Sequence, residues 1–167
     1  LIFNYTVQSG ENIADLDYVS TSALTLNGGT IKDAAENAAT LTLPSPGSTG
    51  SLGTNKNIII DNTAPTITIT ATEINSSTNI ADGSSTADNA IQLTLITSEE
   101  VVNFTQDDIT VSGGTISNFS KSSSTVYTTT FTPTQLGASS IITASNSFTD
   151  AAGNINTASN EFNWSYN

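Results

Sequence analysis

The sequence predicts an all-β protein built of tandem immunoglobulin-like β-sandwiches, the N-terminal one incomplete and represented only by its C-terminal strands. Short runs of alternating apolar and polar residues recur along the chain, and none keeps the 3.6-residue period of a helix over ten positions. Clusters of Gly, Asn, Asp and Pro, which favour turns, separate these runs. Strands joined by turns at this spacing are typical of sandwiches and barrels, so we expect almost no helix.

Each predicted strand carries one apolar face, and these faces are the candidate cores. Trp164 is predicted to be the buried centre of the C-terminal half of the chain. In chain order the faces comprise Leu1, Phe3, Tyr5 and Val7; Ile67 and Ile69; Ile91, Leu93 and Leu95; Ile109 and Val111; Tyr127, Thr129 and Phe131; and Phe162, Trp164 and Tyr166.

An internal repeat divides the chain into two modules. LIFNYTV (residues 1–7) and VYTTTF (residues 126–131) are each followed by a related motif, DAAEN at residues 33–37 and DAAGN at residues 150–154. Between the two copies, Pro65 ends a strand because it donates no ladder hydrogen bond. We therefore predict the C-terminal part of an immunoglobulin-like module at residues 1–64 and a complete sandwich at residues 65–167.

The first module contains only the last three strands expected of such a sandwich. An open half-sandwich exposes unpaired strand edges and an apolar face. The missing strands would come either from further sequence of a longer repeat array or from another chain that donates a strand. Both possibilities remain open from the sequence.

Composition excludes several functional classes. The formal net charge of −12, with three Lys or Arg residues, leaves too little positive charge to neutralise phosphates, so we expect no nucleic-acid partner. The chain contains no Cys and no His, which excludes thiol chemistry, zinc ribbons and Ser-His-Asp catalysis. No apolar run approaches the ~18 residues of a membrane span, so we expect no membrane insertion.

Four longer segments resemble a known family. NGGTIKDAAENAATLTLP, NIIIDNTAPTITIT, EEVVNFTQDDITVSGGTISNFS and FTDAAGN are similar to the bacterial immunoglobulin-like domains repeated in large secreted or surface-attached adhesins. The resemblance covers nearly the whole chain, although Glu36 stands where the DAAGN turn has Gly. It implies a non-catalytic spacer at the bacterial cell surface or outside the cell, with calcium at some domain junctions.

The resemblance also implies the partners. They would be neighbouring immunoglobulin-like repeats of the same chain or a homo-oligomer, and any cell-surface or glycan ligand would bind through other domains. The linker that begins at Asp61 and ends at Pro65 is in addition similar to the Asp-Asn-x-Pro linkers of cadherins, in which calcium stiffens the joint.

The acidic residues predict where calcium would bind. In a sandwich whose strands alternate in direction, the loop at residues 99–108 and the turn at residues 150–154 lie at the end where the chain enters. Calcium takes roughly six to eight oxygen ligands, and without an EF-hand motif these must come from several segments. The predicted ligands are Asp61, Asn62, Glu99, Glu100, Asp107, Asp108, Asp150 and Asn154, with Asp15 and Asp17 from the first module. The alternative is a rim of solvated acids and turn-forming residues.

Two other functions remain as alternatives. A filament subunit would complete its first module by strand donation. A carbohydrate-binding module would use aromatic side chains as a stacking platform, but most of the candidates occupy alternating apolar positions that favour the core. Those candidates are Trp164, Tyr166, Tyr127, Tyr18 and Tyr5.

Overall fold

The computed structural model describes residues 2–167 and is nearly all β. It comprises two compact units, Leu1–Asn62 and Thr63–Asn167. The second unit contains nine strands and one 3-10 turn, Gln106–Asp108. The strands are β1 (Ile67–Glu73), β2 (Asn79–Ile80), β3 (Ser84–Thr86), β4 (Ile91–Thr97), β5 (Ile109–Ser112), β6 (Gly114–Lys121), β7 (Val126–Pro133), β8 (Gly137–Thr143) and β9 (Phe162–Tyr166).

The strands of the second unit form the predicted sandwich. One sheet has the order β2-β1-β4-β7-β6 and the other the order β3-β9-β8-β5. Every pair is antiparallel except β3 with β9. The alternating residues that the sequence placed on one face of β1, β4 and β7 are buried, and the residues between them face outward. The prediction of an all-β immunoglobulin-like sandwich is confirmed.

The core lies between the two sheets and centres on Trp164, which is 1% exposed. Its ring packs edge-on against Phe131, and its indole N–H donates a hydrogen bond to Thr86 Oγ1 at 3.2 Å. A buried indole needs such a partner, because an unpaired N–H would lose its hydration without compensation. Around this centre pack Ile69, Ile91, Leu93, Leu95, Ile141 and Phe148, each 1% exposed or less.

The side chain of Asn160 forms hydrogen bonds with the backbone of β1, in addition to those that β1 forms with β2 and β4. Asn160 Oδ1 accepts a hydrogen bond from the Ile69 N–H at 2.8 Å, and its Nδ2 donates to the Ile69 carbonyl at 3.0 Å. The Asn amide thus pairs with a backbone peptide as a neighbouring strand would. This contact fixes the segment before β9 against the opposite sheet.

The first unit has little regular structure among its described residues, 2–62. It contains one short helix, α1 (Leu52–Asn55), and the isolated bridges Ile13 with Ile60 and Lys32 with Ala38. The predicted apolar face of its first strand is exposed, with Phe3 74%, Tyr5 49% and Val7 44% accessible; Leu1 lies outside the described residues. A tandem arrangement of two sandwiches therefore stays a prediction.

Candidate metal centre

The structure brings the two acidic loops of the second unit together. Val101 forms an isolated bridge with Asp150, and the Val102 N–H donates to the Thr149 carbonyl at 2.9 Å. Asn103 adds a side-chain contact, because its Oδ1 accepts a hydrogen bond from the Thr149 N–H at 2.9 Å. The loop after β4 and the turn before β9 are thus joined at one end of the sandwich.

Two carboxylates of the second unit converge at this end. One oxygen of Glu99 lies within 4.8 Å of one oxygen of Asp150. Asp150 is buried and Glu99 is half-buried. Carboxylate oxygens are hard ligands, and a group without Cys or His suits calcium or magnesium better than zinc or copper.

Asp150 is held in its ionised form by its own turn. Its Oδ1 accepts hydrogen bonds from the backbone N–H groups of Gly153 at 2.8 Å and Asn154 at 2.9 Å, and its Oδ2 accepts one from Asn154 Nδ2 at 2.8 Å. Burial acts to raise the pKa of this carboxyl, but the hydrogen bonds from Asn154, Gly153 and Ala152 outweigh it and lower the pKa below its ordinary value. The negative charge at Asp150 is therefore present at neutral pH.

Three other predicted ligands in the acidic loop have different surroundings. Glu100 forms an ion pair with Lys121 at 3.2 Å, in which both side chains are exposed. Asp108 accepts hydrogen bonds from the Thr105 N–H and hydroxyl at 2.8 and 3.1 Å and so caps the 3-10 turn. Asp107 lies exposed in the first turn of that short helix.

The predicted ligands of the first unit take part in local hydrogen bonding. Asp17 accepts hydrogen bonds from the backbone N–H groups of Tyr18 at 2.9 Å and Gly47 at 3.1 Å. Burial acts to raise the pKa of Asp17, but these hydrogen bonds, together with those from Ser51 and Gly53, outweigh it and lower the pKa below its ordinary value. Asp15 and Asp17 both approach Gly53 in α1. Asn62 Nδ2 donates to the carbonyls of Gln8 and Glu11 at 3.3 and 3.0 Å.

Comparison with known families assigns the domain. Residues 61–166 match the bacterial Ig-like domain family, which is more than half of the chain. The chain belongs to the bacterial Ig-like domain family. No curated protein and no solved structure matches it. The match begins at Asp61 and encloses Glu99 and Asp150.

Membership of this family sets the broad functional class. Bacterial Ig-like domains are typically non-catalytic structural domains, and they occur in surface or extracellular proteins. Among residues 2–167, no helix has the length and apolar character that a membrane crossing needs.

The turn that holds Asp150 in the bacterial Ig-like domain recurs in the first unit, where the equivalent Asn again donates its N–H and its Nδ2 to the Asp carboxylate. Asp33 Oδ1 accepts from the Ala35 and Asn37 N–H groups at 2.9 Å each, and its Oδ2 accepts from Asn37 Nδ2 at 2.9 Å. The bridge between Lys32 and Ala38 corresponds to the one between Thr149 and Ile155. The two copies of the sequence motif therefore form the same local structure.

The two turns differ at one position with an unusual backbone conformation. Glu36 has φ 65°, and Gly153, at the equivalent position, has φ 93°. A side chain is strained in this region, whereas Gly adopts it freely. Glu36→Gly is therefore expected to stabilise the turn of the first unit by about 0.5 to 1 kcal/mol. Amide hydrogen exchange at Asn37 and Ala39 should slow about two- to fivefold.

Gly153→Ala is the matched reverse change. It is expected to destabilise the second unit by about 1 kcal/mol, as measured by urea unfolding followed through Trp164 fluorescence. Faster exchange in Glu36→Gly, or no loss of stability in Gly153→Ala, would show that the backbone conformation at this position does not control the turn.

Two residues that organise this end of the domain were not predicted as such. These residues are Asn103 and Asn156. Asn156 is 2% exposed, and its side chain bonds four backbone groups near the Asp150 turn. A single Asn in an Asn-rich chain carries no pattern that distinguishes such a buried anchor from a turn residue.

Proposed function

We propose that this chain is a non-catalytic spacer segment of a bacterial cell-surface or secreted adhesin. Its membership of the bacterial Ig-like domain family is the observation that carries the proposal. Two of the aromatic residues offer further support, because Trp164 and Tyr127 are 1% and 3% exposed and fill the core of the second unit. They stabilise the sandwich and present no stacking surface for a sugar.

We further propose that calcium binds to Asp61, Glu99 and Asp150. Glu99 and Asp150 are supported as ligands by their convergence and by the low pKa of Asp150. Asp61 is supported by its position in the linker, where the family match begins. Since calcium needs roughly six to eight oxygens, backbone carbonyls and water would complete its coordination. Asp61 precedes the sandwich by only a few residues, so an ion held by Asp61 and by both loops would restrict the linker. The joint would then be stiff in calcium and flexible without it.

Urea unfolding of the full chain in calcium and in chelator tests this proposal. At a calcium concentration about 100 times the dissociation constant, the free energy of unfolding of the second unit should rise by about 2.7 kcal/mol. Glu99→Gln should remove most of this increase because it takes away one charged ligand. X-ray scattering on the same samples should show a narrower distribution of shapes in calcium.

Two controls make the result specific. Glu161→Gln removes one negative charge from an exposed residue outside the three-carboxylate group and should keep the full calcium response. Asp107→Asn removes a predicted ligand that is not among the three proposed here, and it should also keep the full calcium response. If wild-type stability is the same in calcium and in chelator, the carboxylates are solvated acids and the calcium proposal is wrong.

A second candidate function is strand-mediated self-assembly. The observation in its favour is the exposed apolar surface of the first unit, where Ile2 is 93% and Phe3 74% accessible. Isolated exposed apolar residues need no explanation, but a contiguous apolar surface marks an interaction site.

A further inference from the structure

Two exposed turns of the chain place a glycine directly after an Asn or an Asp. One is Asn27-Gly28 in the first unit, and the other is Asp82-Gly83 in the second. In such a dipeptide the backbone nitrogen of the glycine can attack the side-chain carbonyl carbon of the preceding residue and close a cyclic imide, a succinimide. Glycine favours this step because it has no side chain that blocks the approach of its nitrogen. Both turns are therefore candidate sites of spontaneous covalent modification.

The Asn27-Gly28 dipeptide forms the middle of a tight turn. The Gly29 N–H donates to the Leu26 carbonyl at 2.8 Å, and Asn27 and Gly28 have φ 45° and 85°. A positive φ at both central residues is typical of a type I′ turn. Among the described residues, no hydrogen bond engages the Asn27 amide or the Gly28 N–H. The groups that would react are exposed and unengaged, and a single hydrogen bond closes the turn around them.

The Asp82-Gly83 dipeptide is held in place by the backbone of a neighbouring strand. The Gly83 N–H donates to the Asn163 carbonyl at 2.7 Å, and Asp82 Oδ1 accepts a hydrogen bond from the Asn163 N–H at 2.7 Å. Strand β3 follows at once and pairs with β9, with Ser84 opposite Trp164. Closure of a ring here requires both hydrogen bonds to break and the Gly83 nitrogen to turn away from β9. The second turn is therefore protected where the first is not.

We propose that Asn27 is a site of spontaneous deamidation in the folded protein. The Gly28 nitrogen attacks Asn27 Cγ and forms the new C–N bond of the succinimide. The bond from Cγ to the side-chain nitrogen breaks, and this nitrogen leaves as ammonia with the proton that the Gly28 N–H gives up. Water then adds to one of the two imide carbonyls and opens the ring to Asp or to isoaspartate. Nothing is oxidised or reduced, and water is the co-reactant.

The two products change the turn in different ways. Both add one negative charge to a chain whose formal net charge is already −12. In isoaspartate the backbone also runs through the former side chain and becomes one carbon longer. The Gly29 N–H and the Leu26 carbonyl can then no longer close the same turn. This modification depends neither on the proposed spacer role nor on calcium.

Peptide mapping of the full chain after incubation in mildly alkaline buffer tests the proposal. Cleavage after Lys32 separates Asn27 from the second unit. Mass spectrometry with electron-transfer fragmentation locates the lost amide and distinguishes isoaspartate from Asp. Because one hydrogen bond of the turn must open first, the rate at Asn27 in the folded chain should lie within about tenfold of its rate in urea.

The matched control is Asp82→Asn, which creates a second Asn-Gly dipeptide at a glycine whose nitrogen is engaged. The amide introduced there should be lost at least about 100-fold more slowly in the folded variant than in urea, since two hydrogen bonds must break. In urea both sites should react at similar rates. Unchanged Trp164 fluorescence shows that the variant is folded. The proposal is overturned if the Asn27 amide persists in the folded chain while it is lost in urea, or if both sites of the folded variant react equally fast.

Discussion

Replacing Asn156 with Asp is expected to lower the free energy of unfolding of the second unit by about 3 kcal/mol. Asn156 Oδ1 accepts hydrogen bonds from the Ser147 and Phe148 N–H groups at 2.7 and 3.0 Å. Its Nδ2 donates to the carbonyls of Ala144 and Thr157, both at 2.8 Å. Asp keeps the shape and the accepting oxygen, but it turns an oxygen toward two carbonyl oxygens in a site that is 2% exposed.

Asn156→Leu extends the test because it removes all four hydrogen bonds at similar volume. It should destabilise the second unit more than Asn156→Asp does, by at least about 4 kcal/mol, since four backbone groups then lose their partner. Urea unfolding followed by Trp164 fluorescence measures both variants. Asn75→Asp, in an exposed loop, introduces the same charge and should change stability by less than about 0.5 kcal/mol. Equal effects of Asn156→Asp and Asn75→Asp would mean that the buried amide network contributes nothing.

The first unit has no Asn at the position equivalent to Asn156. Ala39 occupies the equivalent position, and its N–H donates to the Ile31 carbonyl as the Asn156 N–H donates to that of Phe148. The backbone contact is thus conserved between the copies, but the side-chain network is not possible with Ala. The turn at Asp33 is therefore held mainly by the Asp33 carboxylate and its three hydrogen bonds.

The sandwich was predictable because alternation directly reflects which side of a strand is buried. Ile67, Ile69, Leu93 and Leu95 face the core as their period of two requires, and Trp164 lies at its centre. Residues 3–7 have the same alternation, yet their apolar face is exposed. A periodic pattern specifies the face of a strand, whereas burial also requires other strands to cover that face.

The candidate metal centre was only partly predictable. The meeting of the loop after β4 with the turn before β9 follows from strand direction, and the bridge between Val101 and Asp150 brings these segments together. Which carboxylates converge depends on the direction of each side chain. Glu99 points toward Asp150, whereas its neighbour Glu100 pairs with Lys121. Sequence spacing does not distinguish these two adjacent acids.

Gly114→Ala is expected to destabilise the second unit by about 3 kcal/mol, although Ala is acceptable to most strands. A Cβ at Gly114 would lie 2.5 Å from the Thr132 carbonyl oxygen and 2.7 Å from Phe131 Cε2. The Phe131 ring is 0% exposed and packs against Trp164, so it cannot move without disturbing the core. Gly113, with φ 75°, needs both the conformational freedom and the small size of Gly, because a Cβ there would lie 2.7 Å from the Ala138 carbonyl oxygen, whereas Gly114 is needed for its small size.

Gly83→Ala tests the effect of backbone strain in the absence of close packing. Gly83 also has φ 75°, but an added Cβ there would meet nothing within 4 Å. The loss of stability should therefore be about 1 kcal/mol, from backbone strain alone. Near-ultraviolet circular dichroism should reveal a changed aromatic environment in Gly114→Ala and none in Gly83→Ala, because only the first substitution displaces Phe131 toward Trp164. If both variants lose the same stability and keep the same spectrum, the ring is free to move and close packing at Gly114 does not limit the fold.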